Sequence, residues 1–195
     1  RLLWRAHPRR ADAEAIVDGI RFVAGSLDLE PAGRTVPSFR FGNQDSSRYM
    51  VIPQSFLDKR AVYWPVFRKD VPISMDLLGL FDFPVATGPS GVRESVVVPS
   101  QSLALMNSPL VIQAARDLAE SLPDAADKSR IAALYLRLFA RPPGAAEWAR
   151  ATAFIDRFER RLKQTDAAGF STPEEVAWSR LCHTLLVCNE FITVP

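Results

Sequence analysis

Residues 124–192 constrain the fold more than any other part of this chain. They carry three apolar stripes at helical spacing, separated by proline-marked turns. Ile131, Leu134, Tyr135, Leu138 and Phe139 share one face of the first. Pro123-Asp124 is read as ending the helix before it and capping this one. Arg141 precedes Pro142 and is pushed out of helical geometry, so the helix stops there. Gly144 opens the next helix, with Trp148, Ala151, Ile155, Phe158 and Leu162 facing inward. Asp166–Ser171 is a predicted loop. Thr172-Pro173-Glu174-Glu175 is a capping box with proline at the first helical position, a strong start signal. Trp178, Leu181, Cys182 and Leu185 follow on the core side, and Asn189 is predicted to cap the helix end with Phe191 folding back. Trp148 and Trp178 are both predicted to be largely buried.

Upstream the pattern changes. Ile16, Ile20, Val23 and Leu27 recur at helical spacing from Asp12, an N-cap, to Gly25, a stop. Residues 28–47 are rich in Pro, Gly, Asn and Ser and read as a long loop. The segment 48–98 is not helical in pattern. Arg48–Pro53 and Arg60–Phe67 are predicted strands, the second with Val62, Trp64 and Val66 on one side and interrupted by Pro65. Met75–Phe81 fits a short helical turn, Thr87–Gly91 a turn cluster and Glu94–Val98 another strand. From Pro99 the chain is predicted helical: a short helix over Gln101–Met106, then one started by Ser108-Pro109 and striped by Val111, Ala114, Ala115, Leu118 and Leu122.

Composition sets outer bounds. At 195 residues, 48% hydrophobic and 24% charged, the chain can bury a core without metal or disulfide staples. No run approaches the ~20 apolar residues of a membrane span. The net charge of +2 is too small to suggest nucleic acid as a partner. Twenty of the 24 basic residues are arginine, which either reflects carboxylate pairing in half-buried places or only genomic base composition. Cys182 and Cys188, if on one helix, lie ~9 Å apart along its axis and point in different directions, beyond disulfide reach. Both are expected to be free thiols. The chain opens on Arg1-Leu-Leu-Trp4 without a methionine and is read as a fragment of a longer protein.

The chemistry is less legible than the fold. His7 and His183 are the only histidines, and His183 has no ligand-type neighbour one turn away. Two cysteines and two distant histidines do not build a four-ligand zinc site, and no EF-hand spacing occurs, so no metal site and no cofactor are expected in this fragment. Asp70, Asp76, Asp82 and Glu94 offer carboxylates, but no spacing singles out an acid–base pair. Ser100 and Ser102 lack the frame of a nucleophile elbow. No catalytic residue is assigned. The densest polar set is Arg60, Arg68, Asp82, Arg93, Gln101 and Asn107, near predicted strands and turns. It reads either as a patch for a sugar, carboxylate or sulfate, or as a network pinning the irregular middle onto the helices, and the second is favoured. Within it Asp82, between Phe81 and Phe83, is expected to pair with Arg68 or Arg93. Tyr63 and Trp64 are as suited to a core as to stacking on sugar. Arg137, Arg141 and Trp148 are expected to bracket the Pro142-Pro143 turn.

The order of several short motifs is informative where each alone is not. They are Arg10–Ile16, Arg60–Tyr63, Phe81-Asp82, Val98–Pro109, Arg141–Pro143, Leu181–His183 and Asn189–Phe191. In this order they resemble the C-terminal part of the planctomycete surface-protein family catalogued as domain of unknown function fifteen-fifty-three. The resemblance implies a large exported bacterial protein and a periplasmic, cell-surface or extracellular setting. It also implies companion domains on the same polypeptide, among them a cytochrome-type haem c segment and lectin-like modules. It supplies no reaction.

The sequence therefore predicts a mainly α fold, a bundle of four to five helices with a small β or irregular subdomain. Residues 1–47 form an N-terminal helix and loop, 48–98 the irregular subdomain and 99–195 the bundle. The expected role is a non-catalytic structural or interaction module, gripping polysaccharide or a neighbouring haem domain. The alternative is part of an enzyme acting on extracellular polysaccharide, its active site shared with a missing N-terminal portion.

Overall fold

The computed structural model describes residues 8–33, 40–44, 47–51, 54–66, 76–84, 88, 91–93, 96–164 and 172–194. The chain is mainly helical. β1 (Arg9–Arg10) leads into α1 (Ala13–Ala24), which buries Ile16, Val17, Ile20 and Val23 along one face. Asp12 stands at its N-cap in extended geometry, although its side chain accepts no capping bond. Gly25 ends the helix at φ +78, and the Ser26 N–H returns 3.0 Å to the Arg21 carbonyl. A side chain at Gly25 would be strained there, so the glycine is a stop signal with a mechanism.

The middle differs from the sequence reading in three places. β2 (Arg40–Gln44) pairs antiparallel with β3 (Ser47–Val51), so a hairpin occupies part of the predicted loop 28–47. In its register Arg40 lies opposite Val51 and Gln44 opposite Ser47. After α2 (Gln54–Leu57), the predicted strand Arg60–Phe67 is instead a 3-10 turn over Ala61–Tyr63. The Asp18 carboxylate accepts from the Ala61 N–H at 2.7 Å and from Arg60 Nε at 3.2 Å, capping the turn from α1. Trp64 is buried while Val62 and Val66 are mostly exposed, so these three do not share a face. The third difference follows α3 (Asp76–Leu80): within the predicted strand Glu94–Val98, the described residues 96–98 form no strand, although Val98 is extended.

The bundle follows. α4 (Pro99–Asn107) and α5 (Pro109–Glu120) each start with proline at the first helical position. α6 (Asp127–Phe139) begins two residues later than predicted, with Ala126 rather than Asp124 at the N-cap. Asp127 then sits in the first turn, where a negative charge complements the helix N-terminus. α6 ends at Ala140 in left-handed geometry, φ +54. α7 (Ala145–Gln164) and α8 (Pro173–Leu186) complete the three predicted helices, and no strand falls within any of their stripes. The predicted loop Asp166–Ser171 lies outside the described residues. The Thr172 capping box is present in both directions: Thr172 Oγ1 accepts from the Glu175 N–H at 3.2 Å, and Glu175 accepts from the Thr172 N–H at 2.8 Å.

α8 stops at Val187, and Asn189 opens a separate short helix, α9 (Asn189–Ile192), instead of capping α8. β4 (Thr193–Val194) then pairs antiparallel with β1, bringing residues 193–194 beside 9–10. Five helices of 12 to 20 residues thus form the bundle. Its centre is α8, which packs most extensively on α5 and next on α7. Trp178, Cys182 and Leu186 of α8 meet Val111, Ala115 and Leu118 of α5 in one fully buried core with Ile131 and Leu134. Trp178 is fully buried, as predicted, and Trp148 is partly buried against the core, with the Lys128 ammonium 5.8 Å from its ring centre. No described helix is long and apolar enough to cross a membrane.

Candidate functional site

Asp82 sits where α3 ends. It adopts φ +60, and the Phe83 N–H bonds back to the Leu78 carbonyl at 3.2 Å, so Asp82 holds the left-handed stop position of that helix. Aspartate tolerates this region better than most residues. Its carboxylate does not meet Arg93. It accepts from Arg10 Nη2 at 2.6 Å and from the Val96 N–H at 3.0 Å. Arg10 also donates to the Val96 carbonyl at 2.9 Å and stacks its guanidinium 5.3 Å from the Phe81 ring centre. The partner that sequence reasoning sought nearby therefore comes from β1, 72 residues away.

The other members of the predicted set are spent on separate internal contacts. Arg93 pairs with both oxygens of Glu14 on α1 at 2.7 Å. Arg60 pairs with Asp18. Gln101 is buried, and its amide nitrogen donates to the Leu80 and Val96 carbonyls, both at 2.9 Å. Its amide oxygen accepts from the Val98 N–H at 3.3 Å. Asn107 donates to the Leu103 carbonyl one turn back on α4. Arg68 lies outside the described residues, as do Asp70, Glu94 and His7. What the fold brings together is Arg10, Asp82 and Gln101 around backbone groups of Leu80, Val96 and Val98. Arg60 and Arg93 clamp α1 from outside.

The Val96 N–H, then Arg10, hold the Asp82 carboxyl below its usual range. Burial pushes Glu14 up, but the Arg93 donors, its own backbone N–H and the Arg93 charge together leave that carboxyl lowered as well. The side chain of Arg10 is only 8% exposed and that of Asp82 25%. Asp82→Ala is expected to cost ~3 kcal/mol in urea denaturation, the lower end of the ~3–5 for breaking a buried pair, because Asp82 is partly wet. An unchanged stability would show that this pair does not hold the middle segment.

A second polar centre lies at the α6–α7 turn and was only partly anticipated. Arg141 donates to both oxygens of Glu147 at 2.8 Å and to both oxygens of Glu190 at 2.7 Å. Its guanidinium lies 5.7 Å from the Tyr135 ring centre and 5.6 Å from that of Phe139. Glu147 also accepts from the Gly144 N–H at 2.7 Å, closing the Pro142-Pro143 turn. One guanidinium thus ties α6, α7 and α9 together. Arg137, expected at the same turn, instead donates to Ser121 Oγ at 2.8 Å. Arg141, then the Gly144 N–H, lower the Glu147 carboxyl to about 2. A carboxyl held below its unfolded value stabilises the fold at higher pH, and the contribution disappears as pH falls through the folded value. For Glu147 that window runs from about 4.5 down to about 2, and Asp82 and Glu14 titrate in the same direction. The melting temperature should fall steadily across it. Glu147→Gln should start lower and fall less. A melting temperature flat over that window would refute the clamp as a stabilising element.

The nucleophile and ligand candidates have quiet surroundings. Cys182 is buried and its thiol pushed up to about 12 by that burial, so it is a core residue and a poor nucleophile. Cys188 is half-buried and likewise raised by burial, and both cysteines are free. His183 lies with Nε2 3.5 Å from the Leu105 carbonyl. Among the described residues, no group of three or more His, Cys, Asp or Glu side chains is placed to hold a metal ion.

Sequence reasoning missed one concavity. A cleft of about 680 Å³ opens between α1, α2, α3 and the α4–α5 junction. Its walls are mostly apolar, with Val17, Leu57, Trp64, Leu78 and Leu110 among them. Arg21, buried on α1, is among the lining residues, and its Nη1 donates to Asp58 Oδ1 at 3.0 Å. Gln54 donates to the same oxygen at 2.7 Å. The Arg21 guanidinium sits 5.7 Å from the Trp64 ring centre, and its Nε is buried with no acceptor. Arg21 stands within the α1 stripe at a position that periodicity assigns to the core. A charge at a core position was the available signal.

Residues 1–155 match the family described as PSD1, protein of unknown function (DUF1553). The match covers most of the chain, and the chain belongs to that family. No curated protein and no solved structure is significantly similar to it.

Proposed function

We propose that this member of the DUF1553 family is a non-catalytic structural or interaction module of a larger exported envelope protein. One observation supports the reading above the rest. The described members of the polar set are engaged within the chain: Asp82 with Arg10 and Val96, Arg93 with Glu14, Arg60 with Asp18, Asn107 with Leu103, and Gln101 with three backbone groups. A carboxylate engaged by a guanidinium and held low is a poor general acid, since catalysis of that kind needs a value near the working pH. The envelope setting and the neighbouring haem or polysaccharide partners rest on the family resemblance alone.

The test exchanges charges. In the double variant Arg93→Glu with Glu14→Arg, a structural pair should recover most of the melting temperature lost by either single change. Reducing-end release from a panel of extracellular polysaccharides should be absent with this chain and with its full-length parent. Turnover by either protein that disappears on substituting Asp82, Glu14 or Glu147, with the melting temperature preserved, would establish the enzymatic alternative.

A further inference from the structure

We propose that the hollow between α6, α7, α8 and α9 binds a small zwitterion with an apolar side chain, a free α-amino acid such as phenylalanine. The ligand carboxylate is set against Tyr135 and Arg150, and its ammonium against Glu190. The proposal goes beyond the module reading and uses a site that reading does not assign.

The lining carries it. The hollow holds about 340 Å³, room for one amino acid, and Phe139, Phe154, Leu181 and Leu185 supply apolar wall. Tyr135 also lines it and is only 5% exposed, yet its hydroxyl has no hydrogen-bond partner among the described residues. The unpartnered side-chain atoms sealed from solvent are Arg10 Nε, Arg21 Nε, Arg130 Nε and Trp178 Nε1. The Tyr135 hydroxyl is not one of them, so it keeps an opening, and the space its side chain lines is this hollow. Burial, then the Glu147 charge, push that hydroxyl above its usual range, so it stays protonated and can donate.

Two opposite charges flank it. All five N–H groups of Arg141 are used, on Glu147, Glu190 and the Pro142 carbonyl, so Arg141 itself does not compete for a ligand. Each Glu190 oxygen accepts one of these bonds and retains a lone pair. Two carboxylates against one guanidinium leave the clamp net negative. Arg150 lines the same hollow with the opposite sign. Its Nε donates to the Ala146 carbonyl at 3.2 Å, while its terminal nitrogens have no partner among the described residues. A simple anion would be repelled by the clamp and a simple cation by Arg150. A neutral polyol would leave both charges unmatched. A zwitterion meets a complementary group with each charge, and its side chain covers the apolar wall. The clamp is in place before any ligand arrives, which reduces the entropy lost on binding.

The test is isothermal titration of the chain with phenylalanine, phenylpropanoate and phenylethylamine, which share a ring and differ in their charged ends. Phenylalanine should bind saturably with a dissociation constant of about 1 mM or below. Each single-charge analogue should bind about tenfold more weakly or worse, the scale of one hydrogen bond to a charged group. Tyr135→Phe should weaken phenylalanine about tenfold and leave the melting temperature unchanged or raised, because the hydroxyl has no partner in the free protein. A lowered melting temperature would give the hydroxyl a structural partner and overturn the proposal. Thr184→Trp covers the hollow from an exposed position on α8 and should abolish binding. No binding to the wild type at millimolar phenylalanine, an analogue bound as tightly, or affinity retained in Tyr135→Phe or Thr184→Trp would each overturn the proposal. Calorimetric binding and polysaccharide turnover are separate readouts, so failure of this site leaves the module reading standing, and the reverse.

Discussion

Trp178→Ala should unfold much of this protein at physiological temperature. The indole is fully buried at the centre of α8, where that helix crosses α5. Truncating a buried tryptophan costs ~3–5 kcal/mol, a large share of the ~5–15 kcal/mol that separates a folded domain from its unfolded chain. The position carries a second liability. The Arg130 guanidinium lies 4.1 Å from the ring centre and pairs with Glu174, while its Nε is buried without an acceptor among the described residues. Removing the ring leaves that charge over a cavity. The indole N–H is itself buried without a partner. Trp178→Phe should therefore be far milder, within about 1–2 kcal/mol of wild type, because relief of the orphaned donor offsets part of the lost packing. Urea denaturation of both variants checks this. A Phe variant as damaged as the Ala variant would mean that the indole nitrogen has a partner in solution.

The bundle was legible because its signals are local. Each of α6, α7 and α8 carries its stripe, its proline and, for α8, its capping box within a few residues, and such contacts form wherever the segment goes. The middle segment was misread for the opposite reason. Arg60–Phe67 alternates like a strand, but Asp18, 43 residues earlier, caps Ala61 and turns the chain. Residues 96–98 have strand composition, yet Arg10, Asp82 and Gln101 take up backbone groups of Val96 and Val98 that a ladder would have used. Arg–carboxylate pairing was the right principle for the polar set, with the wrong partners. Sequence proximity ranked Arg68 and Arg93 ahead of Arg10, and nothing in a single sequence reveals that β1 returns to α3. The Arg141 clamp divides in the same way. Glu147 lies six residues from Arg141 and could have been read from the turn, whereas Glu190 could not. The cleft was invisible for the same reason, because its walls come from elements on both sides of the misread segment.

A chain cut after residue 155, where the family match ends, should not fold cooperatively. The cut falls inside α7 and removes α8, α9 and β4. Without α8, the inner face of α5 loses its largest neighbour, exposing Val111, Ala115 and Leu118 to water. Trp178, Leu181 and Leu186 alone contribute ~1.5–3 kcal/mol each by burial, a total comparable to the whole net stability of a small domain. Arg141 would also lose Glu190, and Arg9–Arg10 their strand partner, so the losses reach both ends of the described chain. Residues 156–194 are then part of the folding unit rather than an appendage to it. Thermal melts followed by far- and near-ultraviolet circular dichroism, on residues 1–155 and 1–195, test this directly. The longer chain should melt in one transition with near-ultraviolet signal, and the shorter should show neither. A cooperative melt from residues 1–155 would mean that α1, α5, α6 and the first part of α7 hold a core without α8, contrary to the packing described above.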